Sequence, residues 1–379
     1  MHFDLNEEQK MLLKVIKAFV DEVVAPGAIE RDRTKSFPVD IFKQLSEMGM
    51  MGLPFPEEFG GAGADTISFA IVTEELSRAC ASTGITYSAH ISLGGAPLNL
   101  FGTHEQKEKY LVPICKGESF GAFGLTEPNA GSDAGGTETT AKLIKDEWVI
   151  NGNKVFITNA SYAKFLSITA ITGQNNGKNE ISAIIVPTDA KGFQVKNNYE
   201  KMGLHSSNTT ELIIEDVHVP KDNLLGVQGN GFKQFMVTLD GGRIGIAAMA
   251  VGIAQAAFDR AVNYSKQRKQ FGKRLADFQS TQFKLADMAV KIELARLAVY
   301  KAAWLKDMGR PFGKEAAMAK YYASEMAMEV TDEAIQIHGG YGYMREYEVE
   351  RYMRDSKLLE IGEGTSEIQK LVIARHILG

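Results

Sequence analysis

The feature that most constrains the fold is a change in the spacing of apolar residues along the chain. In the first and last thirds, apolar residues recur at the three- and four-residue intervals of a helix. Between them, TTELIIEDVHVP alternates apolar and polar side chains, as a half-buried strand does. We therefore predict an α+β protein with a helical domain over residues 1–118, a β domain over 119–228 and a helical domain over 229–379.

Shorter segments give more local predictions. EWVINGNKVFIT is expected to form a hairpin about Asn151 and Gly152. Long helical runs with short connections, such as residues 279–304, predict an antiparallel bundle. The N-terminal MHFDLNEEQKMLL carries acids where a signal peptide is basic, so it predicts a capped amphipathic helix.

Composition excludes several classes of function. The net charge is -5 and the charges are scattered, so no basic face for nucleic acid is expected. Cys80 and Cys115 form neither a disulfide framework nor a metal-binding spacing, and HExxH is absent, so no metal site is predicted. No apolar run approaches the ~20 residues that span a bilayer. We expect a bacterial cytoplasmic protein, although a cleaved mitochondrial matrix form would look the same.

The usual nucleotide-binding fingerprints are absent, but one catalytic pattern is present. Neither GxGxxG nor a P-loop occurs in the chain. Gly117-Glu118-Ser119-Phe120-Gly121 matches the GxSxG nucleophile elbow, which makes a serine thioesterase or lipase the competing class of enzyme. That elbow needs a strand before the serine and a helix after it, whereas the order here is reversed. A nucleophilic Ser119 is therefore the disfavoured alternative.

Three segments each permit a binding function and a structural one. The small residues of GLTEPNAGSDAGG allow backbone N–H groups to approach an anion, or simply form a surface turn. The glycines of IHGGYGYMREY allow close approach of a ligand, or end a helix. In NYSKQRKQFGKR, Arg268 beside Phe271 suits a pyrophosphate next to an adenine ring, or forms a solvated helix end. None of the three is decisive alone.

The segment LEIGEGTSEIQKL contains three carboxylates around a predicted helix start. Ser366 and Gln369 match an S-x-x-Q capping box, and Glu367 then lies in the first turn, where the helix dipole stabilises an acid. Glu360 is expected to be solvated. Glu363 lies between two glycines, so its side chain either enters a pocket or is solvated on a loop.

Six motifs in this order, LTEPNAGSD, FITN, LDGGRIGIAA, QRKQFGK, IQIHGGYG and EGTSEIQ, resemble the acyl-CoA dehydrogenase family over essentially the whole chain. The resemblance implies an N-terminal helical domain, a middle β-barrel-like domain and a C-terminal four-helix bundle. It also implies FAD as cofactor, an acyl-CoA substrate and α,β-dehydrogenation to the trans-2-enoyl thioester. A homotetramer built from dimers, with an electron-transfer flavoprotein as electron acceptor, is implied as well.

The resemblance also assigns residues to ligands. The implied FAD-binding residues are Phe123, Leu125, Thr126, Gly131, Ser132, Phe156, Ile157, Thr158, Arg268, Phe271, Gln279, Gln336, Ile337, Gly339, Gly340, Thr365 and Glu367. Of these, Arg268 and Gln279, with residues 336–340, are expected to reach the FAD of a neighbouring subunit. The implied acyl-CoA contacts are Ser132, Asp240, Arg243 and Gly364. Asp240 and Arg243 would otherwise form an ordinary ion pair on a helix surface.

The catalytic base implied by the resemblance is Glu363, which would remove the α-proton while the β-hydride passes to flavin N5. Burial should raise the pKa of this carboxyl, while the nearby helix N-terminus opposes that rise; we expect burial to dominate. Isovaleryl-type relatives carry the base two residues after the aspartate of LDGGR. That position is Gly242 here, which leaves Glu363 as the only candidate.

Two positions depart from the family pattern. Gly362 stands where many members have tyrosine, and Phe156 where many have tryptophan. The pattern favours the short-chain, butyryl-like branch, but Gly362 would equally admit a branched acyl group. A branched short-chain dehydrogenase, an acyl-CoA oxidase and a non-catalytic flavin-binding role remain the alternatives.

Overall fold

The computed structural model describes residues 4–379, which fold in the predicted order of helices, strands and helices. Short helices extend as far as Cys115, strands lie between Phe123 and Leu225, and long helices begin at Gly231. The α+β class is therefore confirmed. The boundaries after residues 118 and 228 remain predictions.

The N-terminal region opens with helix α1 (Glu7–Phe19), which is capped as predicted. Asn6 accepts a hydrogen bond from the backbone N–H of Gln9, and the Gln9 side chain accepts one from the N–H of Asn6. The first three residues of the predicted segment lie outside the described part of the chain. The other helices of this region are α2 (Ala28–Thr34), α3 (Val39–Glu47), α4 (Thr66–Ala79), α5 (Ala81–Ala89), α6 (Ala96–Phe101), α7 (His104–Gln106) and α8 (Val112–Cys115).

The middle region is one eight-stranded sheet. Its strands are β1 (Phe123–Gly124), β2 (Thr140–Ile144), β3 (Glu147–Thr158), β4 (Phe165–Asn175), β5 (Lys178–Pro187), β6 (Phe193–Val195), β7 (Thr209–Pro220) and β8 (Leu224–Leu225). They pair in the order β6-β7-β3-β2-β4-β5-β8, and β1 pairs with β4 in parallel. The alternating apolar residues of β3 and β7, such as Ile150 and Ile214, face a separate hydrophobic core.

The hairpin predicted about Asn151 and Gly152 is wrong. Strand β3 runs through both residues, and the turn lies earlier, where Ile144 pairs with Glu147. At Gly152 the register with β7 shifts, forming a β-bulge, and a Cβ there would lie 2.3 Å from the Thr139 hydroxyl oxygen. This glycine therefore permits close backbone packing rather than a turn.

The C-terminal region is a helical bundle. It consists of α9 (Gly231–Gln267), α10 (Gln279–Asp307), α11 (Gly313–His338), α12 (Val349–Lys357) and α13 (Ser366–Leu378), with a small hairpin of β9 (Lys269–Gln270) and β10 (Lys273–Arg274) between the first two helices. Helices α9, α10 and α11 pack on one another, and α13 packs on α11. This arrangement agrees with the predicted bundle.

Helix α9 is the central element of the molecule. Residues 242–254 are all buried and, apart from Arg243, all apolar, as in the core helix of a large globular protein. Within residues 4–379 it is the one helix whose length and composition would suffice to cross a membrane. However, 72% of its most apolar window is buried inside the protein.

Candidate active site

Glu363 lies in a tight loop between helices α12 and α13. Its φ of 54° is rare for a residue other than glycine, and Gly364 follows with φ of 95°. Both carboxylate oxygens are buried and accept no hydrogen bond. Burial raises the pKa of Glu363 from its ordinary value of 4.5 to about 7, against the opposing effects of two nearby cations. The alternative of a solvated loop carboxylate is therefore excluded.

Helix α9 packs directly against this carboxylate at Gly242. A Cβ on Gly242 would lie 2.0 Å from Glu363 Oε2 and 2.9 Å from its Cδ. Only glycine leaves room for the observed side chain. The two positions at which the sequence motifs place a base, 242 and 363, therefore converge on the same volume.

The predicted capping box of α13 is wrong by one residue. Thr365, not Ser366, is the N-cap, and its hydroxyl accepts the N–H three residues later at 3.3 Å. The Gln369 side chain does not cap the helix start. Its amide donates to the carbonyl oxygens of Glu363 (3.2 Å) and Gly364 (2.8 Å), which ties the loop to the helix. The sequence alone does not show that this side chain reaches back to carbonyl groups.

Two cations flank the buried carboxylate. Arg243 of α9 is only 5% exposed and donates to Asp240, so this pair is not the ordinary surface ion pair considered above. Lys320 of α11 is 0% exposed, and its Nζ donates to the Gly364 carbonyl oxygen at 2.6 Å. Both cations favour the ionised form of Glu363.

Lys320 was missed by sequence reasoning, although a signal was present. It lies in AAMAKYYASEMA in phase with Ala316, Ala323 and Ala327, all of which are buried. A lysine on the apolar face of a helix needs a buried partner. The spacing indicates burial, although no prediction was drawn from it, and it does not identify the partner.

The residues implied for the flavin ring lie on β1, β3 and their loops. Phe123 and Leu125 are buried, and the Thr126 carbonyl accepts the Val155 N–H at 2.9 Å, which joins the loop after β1 to β3. Phe156 is 66% exposed with φ of 60°. In the same implied set, Ile157 is buried, Thr158 is half-buried, and Gly131 and Ser132 are exposed.

A buried ion pair supports this loop and was also missed. Lys154 donates to Glu127 at 2.6 Å and to the Leu125 carbonyl at 3.3 Å. Although burial favours the neutral carboxyl, Lys154 and hydrogen bonds from Thr137 and Thr139 hold the pKa of Glu127 down at about 2. The loop after β1 is thus held to β3 by the buried Lys154–Glu127 ion pair.

Helix α9 connects the β region to Glu363. The Phe123 ring stacks on Phe235 of α9, with ring centroids 3.9 Å apart. Phe235 precedes Gly242 by seven residues, which is two helical turns or about 10 Å. The strand that begins the implied flavin site and the buried carboxylate therefore lie along one side of one helix.

The remaining residues implied to bind FAD lie away from Glu363. The Arg268 guanidinium stacks over Tyr341 at 5.4 Å, and Phe271, in the β9–β10 turn, is 94% exposed. Gln279 begins α10 and is exposed. Gln336 follows Lys320 on α11 by sixteen residues, or about 24 Å. Within one chain the structure does not bring this group, including residues 337–340, to Glu363.

Comparison with known proteins now identifies the family. Models of the acyl-CoA dehydrogenase N-terminal, middle and C-terminal domains match residues 6–118, 122–217 and 229–378. The chain is 59% identical over 379 residues to the probable acyl-CoA dehydrogenase YngJ of Bacillus subtilis, and 51% identical over 377 residues to the short-chain specific acyl-CoA dehydrogenase of Clostridium acetobutylicum, with 100% of each chain covered. The structure of butyryl-CoA dehydrogenase from Megasphaera elsdenii matches with a TM-score of 0.98 and 48% identity, again covering 100% of both chains.

The chain belongs to the acyl-CoA dehydrogenase family. Acyl-CoA dehydrogenases are flavoproteins, and the present residues fit a flavin. The exposed Phe156 ring offers a flat apolar surface, and a Cβ on Gly131 would meet no atom within 4 Å. At the N-terminus of α13, the buried Ser366 hydroxyl has no partner, and a helix N-terminus favours an electron-rich ligand atom.

Two further positions bear on the alternatives within and outside the acyl-CoA dehydrogenase family. Ser119 is buried; its hydroxyl donates to the Phe120 carbonyl and accepts the Lys164 N–H, and no helix follows it. A nucleophile elbow is therefore absent. By contrast with Gly242, a Cβ on Gly362 would lie 3.5 Å from its nearest neighbour, the Leu358 carbonyl oxygen, so a side chain would fit there.

Proposed function

We propose that this protein is an FAD-dependent acyl-CoA dehydrogenase that converts a short-chain acyl-CoA to the trans-2-enoyl-CoA, with Glu363 as the catalytic base. The observation that carries the proposal is the Glu363 carboxylate, which is buried, free of hydrogen bonds and accommodated by Gly242. The short-chain enzyme of Clostridium acetobutylicum and butyryl-CoA dehydrogenase of Megasphaera elsdenii support the substrate class.

The environment of Glu363 suits proton abstraction next to a thioester carbonyl. A base is most effective when its pKa lies near the working pH, and burial raises the pKa of Glu363 to about 7. Its oxygens have no donor to displace before they accept the α-proton. Bound FAD supplies the acceptor for the β-hydride. The backbone N–H of Glu363 is the proposed donor to the thioester oxygen.

Other residues are proposed to hold the ligands. Arg243 and Asp240, with Ser132 and Gly364, would contact the acyl-CoA. Asp240 is one-third exposed while Arg243 is buried, so the pair joins the interior to the surface, as a site for a long ligand requires. The FAD contacts are proposed for the implied residues of β1, β3, their loops and the start of α13, namely Phe123, Leu125, Thr126, Gly131, Ser132, Phe156, Ile157, Thr158, Thr365 and Glu367.

A homotetramer is proposed, in which each flavin site is completed by a neighbouring subunit. Gln336, at the start of residues 336–340, lies about 24 Å along α11 from Lys320, and Arg268 stacks on Tyr341 next to these residues. This separation from Glu363 supports the use of these residues by another copy. Exposed apolar residues along α10, including Val290, Leu294 and Trp304, support a helix-packing interface.

The proposed electron acceptor is an electron-transfer flavoprotein, and the bacterial relatives support a cytoplasmic location. A branched-chain substrate is the second candidate, because the space at Gly362 is open. Such a substrate would change the acyl group and leave the role of Glu363 unchanged.

The test is anaerobic reduction of the flavin in the FAD-loaded protein by straight and branched acyl-CoAs of four to eight carbons. Bleaching by a C4 substrate, and its loss in Glu363→Gln with FAD still bound, is the expected result. If no acyl-CoA bleaches the flavin, the dehydrogenase proposal fails. Exposure of the reduced protein to oxygen then separates a dehydrogenase from an oxidase, which would reoxidise rapidly.

A further inference from the structure

Lys320 is a buried cation that the proposed chemistry does not use directly. Its side chain is fully enclosed, yet its ammonium group makes no hydrogen bond to the nearby Glu363 carboxylate. Instead it donates to the Gly364 carbonyl oxygen at 2.6 Å. We propose that Lys320 is a positioning residue for the proposed reaction: it holds the turn that carries Glu363 and stabilises the carboxylate anion without occupying its oxygens. This inference rests on the function proposed above.

The turn needs such support. Glu363 and Gly364 are two consecutive residues with left-handed backbone conformations. The Gly364 carbonyl receives two donors, Lys320 Nζ and Gln369 Nε2, from two different helices. A hydrogen bond from an ionised donor is about twice as strong as a neutral one. Removing the ammonium leaves the carbonyl held by Gln369 alone, and the Glu363 carboxylate is then free to leave its place beside Gly242.

The presence of a cation at position 320, where a neutral donor could also bind the carbonyl, indicates that the positive charge itself has a role. Burying an ammonium group is unfavourable, and an apolar residue would pack better among the alanines of α11. A direct ion pair with Glu363 would have occupied the oxygens that must accept the proton. Placement on the adjacent carbonyl provides positive charge while leaving those oxygens free.

The charged groups around this site define its pH dependence. Glu363 faces Lys320 from α11 and Arg243 from α9, and both oppose the effect of burial on its pKa. Burial lowers the pKa of Lys320 to about 8, while Glu363, Glu360 and Glu367 favour its charged form and Arg243 opposes it. Lys320 is thus still largely protonated where Glu363 ionises, at about pH 7.

Two substitutions separate position from charge. Lys320→Met removes both the donor and the charge, whereas Lys320→Gln removes the charge and retains a donor. In the FAD-loaded protein, the high-pH plateau of the flavin reduction rate reports position. The midpoint of the low-pH limb of kcat/KM reports the charge near Glu363.

For Lys320→Met we expect a plateau at least about tenfold lower and a midpoint about one pH unit higher. For Lys320→Gln we expect the same displacement of the midpoint with a smaller loss of plateau. Lys370→Met, on the exposed face of α13, is the matched control and should change neither. A merely structural role would lower the rate without moving the midpoint.

Hydrogen exchange of the peptide covering residues 359–369 gives a readout independent of turnover. Exchange should rise in Lys320→Met and remain near wild type in the Lys370→Met control. Unchanged midpoint, plateau and exchange in a folded Lys320→Met protein would overturn the inference, as would an unchanged midpoint in Lys320→Gln if the methionine variant does not fold. Failure of the proposed function is distinct, because wild-type protein itself would then not be bleached by any acyl-CoA.

Discussion

Replacing Gly242 by alanine tests whether the Glu363 carboxylate must occupy its observed place. The added Cβ would lie 2.0 Å from Oε2, whereas non-bonded atoms are most stable at about 3.5 Å. The carboxylate must therefore move by more than about 1 Å. Because a displacement of that size costs on the order of 100-fold in rate, we expect flavin reduction by the best acyl-CoA to slow by about 100-fold.

The stability of this variant should change much less than its activity. Alanine in place of glycine inside a helix contributes about 1 kcal/mol, and overpacking costs about 1–3 kcal/mol. The atom displaced is the free end of a flexible side chain rather than backbone, which places the cost at the lower end. The two effects largely cancel, so the variant should fold and retain FAD.

The assay is stopped-flow reduction of the bound flavin without oxygen, with thermal unfolding and FAD content measured on the same samples. Gly241→Ala is the matched control, because it gains the same helix propensity while its Cβ would lie 3.4 Å from its nearest neighbour, the terminal Nζ of Lys306. Wild-type reduction rates in folded Gly242→Ala would refute the placement of the base. Equal losses in both variants would refute the steric explanation.

Three other measurements follow from the same loop. The folded-state pKa of Glu363, about 7, exceeds its ordinary value of 4.5, so ionisation of this carboxyl lowers the stability of the wild-type protein by up to about 3 kcal/mol as pH rises. In denaturant titrations, the free energy of unfolding of Glu363→Gln minus that of wild type should therefore increase between pH 5 and 8. A constant difference would contradict the burial argument. The double variant with Glu363→Gly and Gly242→Glu should recover part of the reduction rate lost in Glu363→Gly alone, since both positions reach one volume; no recovery would count against that convergence. Gly362→Tyr should leave the melting temperature within a few degrees and lower kcat/KM for isobutyryl-CoA relative to butyryl-CoA, and an unchanged ratio would remove Gly362 from the acyl pocket.

The sequence predicted the order of elements because hydrophobic periodicity is a local property. The same locality explains the errors. Gly152 carries a turn-like signal, but its role is set by Thr139, which packs against it from another segment. Likewise, the predicted cap is one residue away from the observed N-cap, Thr365. The prediction paired Ser366 with Gln369, but the Gln369 amide donates instead to the carbonyl of Gly364 in a loop that has no periodic pattern.

Within the candidate site, Glu363 was found through motifs, while Lys320 and the Lys154–Glu127 pair were not. Each of these lysines is buried by residues far away in the chain. The spacing of Lys320 from buried alanines indicates burial, but the partner of either lysine is known only when the packing of its element is known. The proposed base has a local sequence signature, whereas the groups proposed to hold it in place depend on tertiary contacts.

Helix α9 contacts all three regions: it packs on α4 and α5, on strands β4 and β5, and on α10 and α11. It also carries Gly242, which packs against the Glu363 carboxylate, and Phe235, which stacks on Phe123. Two parts of the candidate site are therefore attached to the element that joins the regions. No region can then be removed, or open by itself, without exposing an apolar side of this helix. The protein should accordingly unfold as one cooperative unit, and loss of the site should coincide with loss of the fold instead of preceding it.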